Sequence, residues 1–306
     1  MSADGKPGGF NVRLVELLHG ASIEVAAHPE VAAKLRGAFD PGTEVFINQP
    51  PSGDYRACVA TAAALHRAGF VPVPHVAARN LASAAELDDF LQRLVGEGAI
   101  DRLLLIGGDA RPGGPFSSVV DVIASGRIQA AGVGTVGVAG HPEGNAFADI
   151  ASLDRAIVEK TGSVAAAGLR CFIVTQFCFE AAPILDYLER LARLRVDAPV
   201  RIGVAGPASI ATLIRFAERC GVGESLRALR ERPKTVGSSI GEAGPEDLLR
   251  DVADGLTDAT APRVRGIHFY AFGGIARTST WIEATLARLY GAIAASAEAE
   301  SNRRPG

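Results

Sequence analysis

At 306 residues, with 48% hydrophobic and 21% charged side chains and a formal net charge of −3, the chain has a globular composition, with no excess of one sign to attract nucleic acid or an anionic membrane. No apolar run approaches the ~18 residues of a membrane span, and the start MSADGKPGGF lacks the basic and apolar regions of a signal peptide, so a cytoplasmic location is expected. The four cysteines, Cys58, Cys171, Cys178 and Cys220, have no CxxC spacing, which argues for thiols and against a structural zinc site.

Short apolar runs alternate with longer amphipathic segments along the chain, as parallel strands do when crossover helices separate them. Eight strands are predicted in order: ASIEVA (21–26), TEVFINQ (43–49), FVPVPHVA (70–77), RLLLIGGD (102–109), TVGVAGH (135–141), CFIVTQFCF (171–179), VRIGVAG (200–206) and VRGIHFYAF (264–272). Helical patterns lie between them. SAAELDDFLQRLVGEG and APILDYLERLARLRV both carry apolar residues at three- and four-residue spacing. Eight such units imply a single (β/α)8 barrel, with function on the loops at the C-terminal strand ends. The barrel is expected over residues 15–292, between flexible ends at 1–14 and 293–306. After the helix-like ASIATLIRFAERCG the seventh unit runs long, which predicts an extra helix and a mobile loop before the last strand.

An open doubly wound sheet is the alternative, but it requires a glycine fingerprint that closes a strand and opens a helix. The one literal GxGxxG, at Gly132, Gly134 and Gly137, leads into a strand instead. The strand ends are unusually polar. Glu24 lies in the first strand, Asn48 and Gln49 end the second, His75 is in the third, Asp109 closes the fourth, His141 the fifth, Gln176 is in the sixth and Tyr270 in the eighth. Each has a structural reading as well: Glu24 as an ion-paired strand residue, His75 as a hydrogen-bonded core histidine, Asp109 as a turn cap, Tyr270 as core packing. A metal site is not expected, since none of the six histidines forms an HxH or HxxE pair, and no strand carries a Schiff-base lysine. Carboxylates, amides and glycine loops without an evident nucleophile suit an organic cofactor that does the chemistry.

The order Ile23-Glu24, Pro74-His75, Gly108-Asp109, Pro142-Glu143, Thr175-Gln176-Phe177 and His268-Phe269-Tyr270 resembles the methylenetetrahydrofolate reductase family from residue 15 to about 290, most specifically in VAGHPEGN, FIVTQFCF and GIHFYAF. The resemblance implies a flavin-bearing barrel that passes hydride from NADH or NADPH through FAD to 5,10-methylenetetrahydrofolate. Glu24 then matches the general acid that opens the methylene bridge to an iminium, and burial is expected to raise its pKa. Asp109 matches the aspartate near flavin and pterin. Gln176, with Gln49 and Tyr270, would bind substrate, while Asn48, His75, Gly108, Asp109, His141, Glu143, Asn145 and Lys160 would hold the cofactor. The chain departs from the family where Gly107 stands for an arginine, His141 for a tyrosine and Asn145 for a histidine, and where Val25-Ala26-Ala27-His28-Pro29 replaces a Phe-Pro-rich run. A flavin-independent reductase and a non-redox tetrahydrofolate-binding protein are the alternatives. The partner is a tetrahydrofolate-type small molecule; a homo-oligomer is compatible with the sequence.

Overall fold

The computed structural model describes residues 7–49, 54–108, 113–145, 148–220, 222 and 242–301. Eight parallel strands close on themselves: β1 Ser22–Ala26, β2 Glu44–Asn48, β3 Val71–Ala77, β4 Arg102–Ile106, β5 Thr135–Gly140, β6 Arg170–Thr175, β7 Val200–Ala205 and β8 Val264–Tyr270. Their order around the barrel follows the chain, with β8 pairing back onto β1. All eight expected strands form, shorter by a residue or more at most ends. Gly137 lies inside β5, so the GxGxxG match is no dinucleotide fingerprint.

Strand parity divides the side chains into two layers. Ile23, Val25, Val45, Ile47, Leu103 and Leu105 point outward under the helices. Phe46, Val73, Leu104 and Val174 point inward with Ile106 and Phe172 around them. At the N-terminal end the interior is closed by ions: Glu44 pairs with Arg102 and Arg201, each at 2.5 Å. Both arginines are the first or second residue of their strand, on the inward parity of Leu104 and Gly203, so the ion cluster occupies the bottom of the barrel interior.

Helix formation follows from local signals. Ser83 caps α4 (Ala84–Gly96) by accepting from Glu86 N at 3.1 Å, while Glu86 Oε2 accepts from Ala82 N at 2.7 Å. Its buried Leu87, Phe90, Leu91 and Leu94 have the spacing of one helical face, each burial contributing roughly 1.5–3 kcal/mol. In α8 (Ala181–Arg193) Ile184, Tyr187, Leu188 and Leu191 repeat that spacing. The predicted extra helix is present at Glu246–Gly255; of the stretch expected to hold a mobile loop, residues 223–241 lie outside the described residues. Helices also run into the expected flexible ends: α1 spans Pro7–His19 and the last helix Ile275–Ser301. The two pack on each other, with Leu14 and Leu18 of the first and Leu289 of the second buried, so partner burial stabilises segments that look polar in isolation. Among the described residues no helix is long and apolar enough to cross a membrane.

Candidate functional site

Glu24 is the middle residue of β1. Ile23 and Val25 on either side are committed to the outer core, so alternation forces its carboxylate into the barrel. There it meets two imidazoles. Oε2 lies 3.6 Å from His75 Nε2 and 3.7 Å from His268 Nε2, and Asn48 Nδ2 donates to Oε1 at 3.4 Å. His75 is 4% exposed and His268 fully buried; Phe46 stands edge-on to His268, with centroids 4.5 Å apart. Behind His268, its Nδ1 pairs with Ser22 Oγ at 3.0 Å. Neither Nε2 atom has a partner at true hydrogen-bond distance.

This surrounding reverses the expected pKa shift of Glu24. Burial pushes the carboxyl up, but His268, His75 and Asn48 together hold it below its ordinary value. Its neighbours are polar donors and not the apolar strand alone, so the ionised form is the stabilised one. Burial pushes His75 and His268 down, against the pull of Glu24. The arrangement sets one carboxylate between two imidazoles inside the barrel, a grouping whose members can each carry a proton.

Around the mouth the structure qualifies several expected ligands. Gln49 Oε1 accepts from Ala77 N at 2.8 Å and so ties β2 to the end of β3. Gln176 Oε1 accepts from Phe177 N at 3.1 Å. Tyr270 donates its hydroxyl to the Thr175 carbonyl at 3.0 Å, leaving its ring as the group offered to the mouth. A Cβ at Gly203 would lie 2.9 Å from that ring and 2.1 Å from Thr175 O, so only glycine lets Tyr270 lie across β7. Phe272 stacks on Tyr270 at 5.8 Å and Phe216 on Phe272 at 4.0 Å, a row of three half-buried rings.

The expected cofactor residues divide into groups. His75 faces Glu24, and Asn48 donates to it. His141 is half-buried and held down to about 4 by burial and by Lys160, itself pushed down by burial. Glu143 faces Cys178, whose thiol is raised first by burial and then by that carboxylate. Asn145 bridges to Ala148. Gly108 has φ +81°, with Asn80 Oδ1 3.1 Å from where its Cβ would lie. Asp109, with the rest of 109–112, lies outside the described residues.

Three residues that sequence reasoning left out of the site belong to it. Ser22 and His268 share strand faces with Glu24 and Tyr270, two residues away in each case, and that i, i+2 spacing was a readable signal. Arg79 had none. It lies in a single 3-10 turn, Ala78–Asn80, beyond β3, and its N and Nε both donate to Gly107 O, at 3.0 and 3.1 Å. A Cβ on Gly107 would come within 2.6 Å of Arg79 Nη2. Arg79 thus places a guanidinium over Gly107 at the rim, and no carboxylate among the described residues pairs with it.

No family model matches the chain. Among solved structures it is similar to the dihydropteroate synthase of Thermus thermophilus, at 12% identity over 87% of this chain and 92% of that one, with a TM-score of 0.48. It is also similar to a psychrophilic glycoside hydrolase family 10 endo-β-1,4-xylanase, at 10% identity over 83% and 88% with a TM-score of 0.43. Both likenesses are too distant to bear on substrate; the (β/α)8 barrel of this protein rests on its own strand pairing.

Proposed function

We propose that the protein reduces 5,10-methylenetetrahydrofolate to 5-methyltetrahydrofolate with hydride from NADH or NADPH, and that Glu24 delivers the proton that opens the methylene bridge. The observation that carries this reading is the inward carboxylate of Glu24, held by two imidazoles and an amide at the upper end of the barrel. It is supported by the positions of the motifs behind the family resemblance, which fall on or just after β1, β3, β4, β5, β6 and β8.

The chemistry needs one proton and one hydride. Protonation of a bridge nitrogen releases an iminium, whose carbon accepts hydride where the closed ring does not. Glu24, with His268 and His75 behind it, serves the proton step. Once the proton has left, the carboxylate faces a cation and stabilises it. Asp109, in the resemblance, adds a second negative charge there. Tyr270 offers a ring face to the planar pterin, and Gln176 its amide.

FAD, when bound, would supply a two-electron relay between nicotinamide and substrate. Part of the rim remains suited to holding it, through His141 and Lys160 beside β5 and through Arg79 as the cation for a diphosphate. Against this, His75 is turned to Glu24, and the space over Gly107 and Gly108 is filled by Arg79 and Asn80. That packing favours the second reading, direct hydride transfer from the nicotinamide. The test is to incubate the purified protein with NADH or NADPH and 5,10-methylenetetrahydrofolate, with and without FAD, and to assay 5-methyltetrahydrofolate. Deuterium at nicotinamide C4 separates the readings: full retention in the product methyl means direct transfer, and loss to solvent means an intervening flavin. No product under any condition, with tight folate binding, would leave a non-redox carrier.

A further inference from the structure

Glu24 is stabilised as an anion, yet the reaction proposed above consumes a proton that has to be held beside the substrate. The question is where it waits. Ser22 and His268 are both fully buried, and the Glu44, Arg102 and Arg201 ion cluster occupies the barrel beneath them. Glu24, 16% exposed in its side chain, is the group that meets the mouth.

We propose that His268 is the positioning residue that stores this proton for Glu24, and that Ser22 is the swivelling partner that serves His268 in both protonation states. The geometry is specific. With Glu24 ionised and His268 neutral, the Ser22 hydroxyl donates to Nδ1 across 3.0 Å, which leaves the ring proton on Nε2, directed at Oε2 of Glu24 3.7 Å away. The opposite tautomer would set an imidazole lone pair against a carboxylate oxygen. When the pair takes up a proton, both ring nitrogens carry hydrogen. Nδ1–H then donates to Ser22, whose hydroxyl rotates to become the acceptor, and Nε2–H still faces Oε2. A hydroxyl is both donor and acceptor, so of the small side chains Ser and Thr fill this place. Delivery breaks the His268 Nε2–H bond and forms Glu24 Oε2–H, and the substrate nitrogen then takes the proton from Oε2. The carboxylate is regenerated, His268 is left neutral with its remaining proton on Nδ1, and the next proton, entering from the mouth through Oε2, is taken up by Nε2.

Burial, the largest influence on His268, opposes a cation there, and the charged groups around it act in both directions, Glu24 being the main one that favours the stored proton. Glu24 lies above it on β1 and His75 faces the same carboxylate from β3. Tyr270 packs edge-on from its own strand with centroids 4.9 Å apart. Below, Arg201 disfavours a cation and Glu44 favours one. A protonated His268 beside an ionised Glu24 adds no net charge to a buried site, which lowers the desolvation cost of holding the proton there.

The inference rests on the proposed role of Glu24, and its test separates the two. In protein labelled with 15N at histidine, His268 should give the Nε2–H tautomer at high pH and both ring protons as pH falls. Ser22→Ala should move that transition to lower pH, and Ser22→Thr should restore it. In turnover, Ser22→Ala should lower kcat about tenfold or more, leave KM within about twofold, and shift the alkaline limb of kcat to lower pH. A His268 that stays neutral from pH 8 to pH 5 while the enzyme turns over overturns the proposal, as does an alkaline limb unmoved in Ser22→Ala. If His268 takes the proton as described but no reductant gives methylated folate, the proton store stands and the reductase reading falls.

Discussion

Replacing Glu24 with Gln keeps the shape of the side chain and removes its ability to carry a proton. The structure indicates how the damage should divide. Gln can still accept from Asn48, and above the pH at which His268 takes up its proton the substitution leaves no buried cation unpaired, because burial disfavours cationic His75 and His268. Folding stability should therefore change by no more than about 1 kcal/mol. Catalysis should lose the whole of a positioned acid, about 10²–10⁴-fold, or roughly 3–5 kcal/mol of transition-state stabilisation. Asn48→Ala, which removes one long hydrogen bond at 3.4 Å, should cost about tenfold or less. The assay is single-turnover formation of 5-methyltetrahydrofolate after rapid mixing, alongside binding of the reduced nicotinamide followed by fluorescence. A loss below tenfold in Glu24→Gln, or an equal loss in nicotinamide binding, would refute the assignment of Glu24 to the proton step.

Other expectations follow from single features. His141 has a folded pKa of about 4 against an ordinary 6.5, so its contribution is complete above pH 6.5 and is lost as pH falls towards 4; wild type should lose about 3 kcal/mol more than His141→Gln over that window in denaturant titrations. Glu24, held below its ordinary value, contributes stability that is present above its unfolded pKa and lost as pH falls through the folded one, so Glu24→Gln should flatten the acid limb of thermal unfolding below about pH 4.5. Gly203→Ala sets a methyl 2.1 Å from Thr175 O and should cost about 3 kcal/mol or more by chemical denaturation; an unshifted midpoint would mean that β6 and β7 are not packed as described. Arg79→Ala loses a bond to Gly107 O and should weaken dinucleotide binding at least about fivefold by calorimetry, with the salt dependence of binding reduced.

The barrel was legible because its signals are local and repeated: apolar runs of strand length with amphipathic helices between them. Glu24 was legible for the same reason, as a charge in the middle of an apolar strand. What surrounds it was not. Its pKa shift was read in the wrong direction because a sequence shows the strand around a residue and not the strands beside it, and His75 and His268 reach Glu24 from β3 and β8. For Gln49 and Tyr270, expected as substrate ligands, the sequence did not show that tertiary contacts engage the oxygen of one and the hydroxyl of the other with backbone groups. Arg79 stayed hidden because its place depends on how one turn leans onto the next strand end, a contact between residues 28 positions apart in the chain. Helix was not read into 7–14 or 293–301 because those stretches look polar in isolation, whereas the first and last helices pack on each other.

The central claim is proton-assisted hydride transfer to a folate at Glu24, and one experiment addresses it most directly. Wild type and Glu24→Gln protein are each mixed with NADH or NADPH and 5,10-methylenetetrahydrofolate, with FAD supplied, and 5-methyltetrahydrofolate is quantified against nicotinamide oxidised. The account predicts one product per nicotinamide in wild type and at least about a hundredfold slower formation in the variant. Product formation at comparable rates in both proteins, or none in either while both bind the folate, would contradict it.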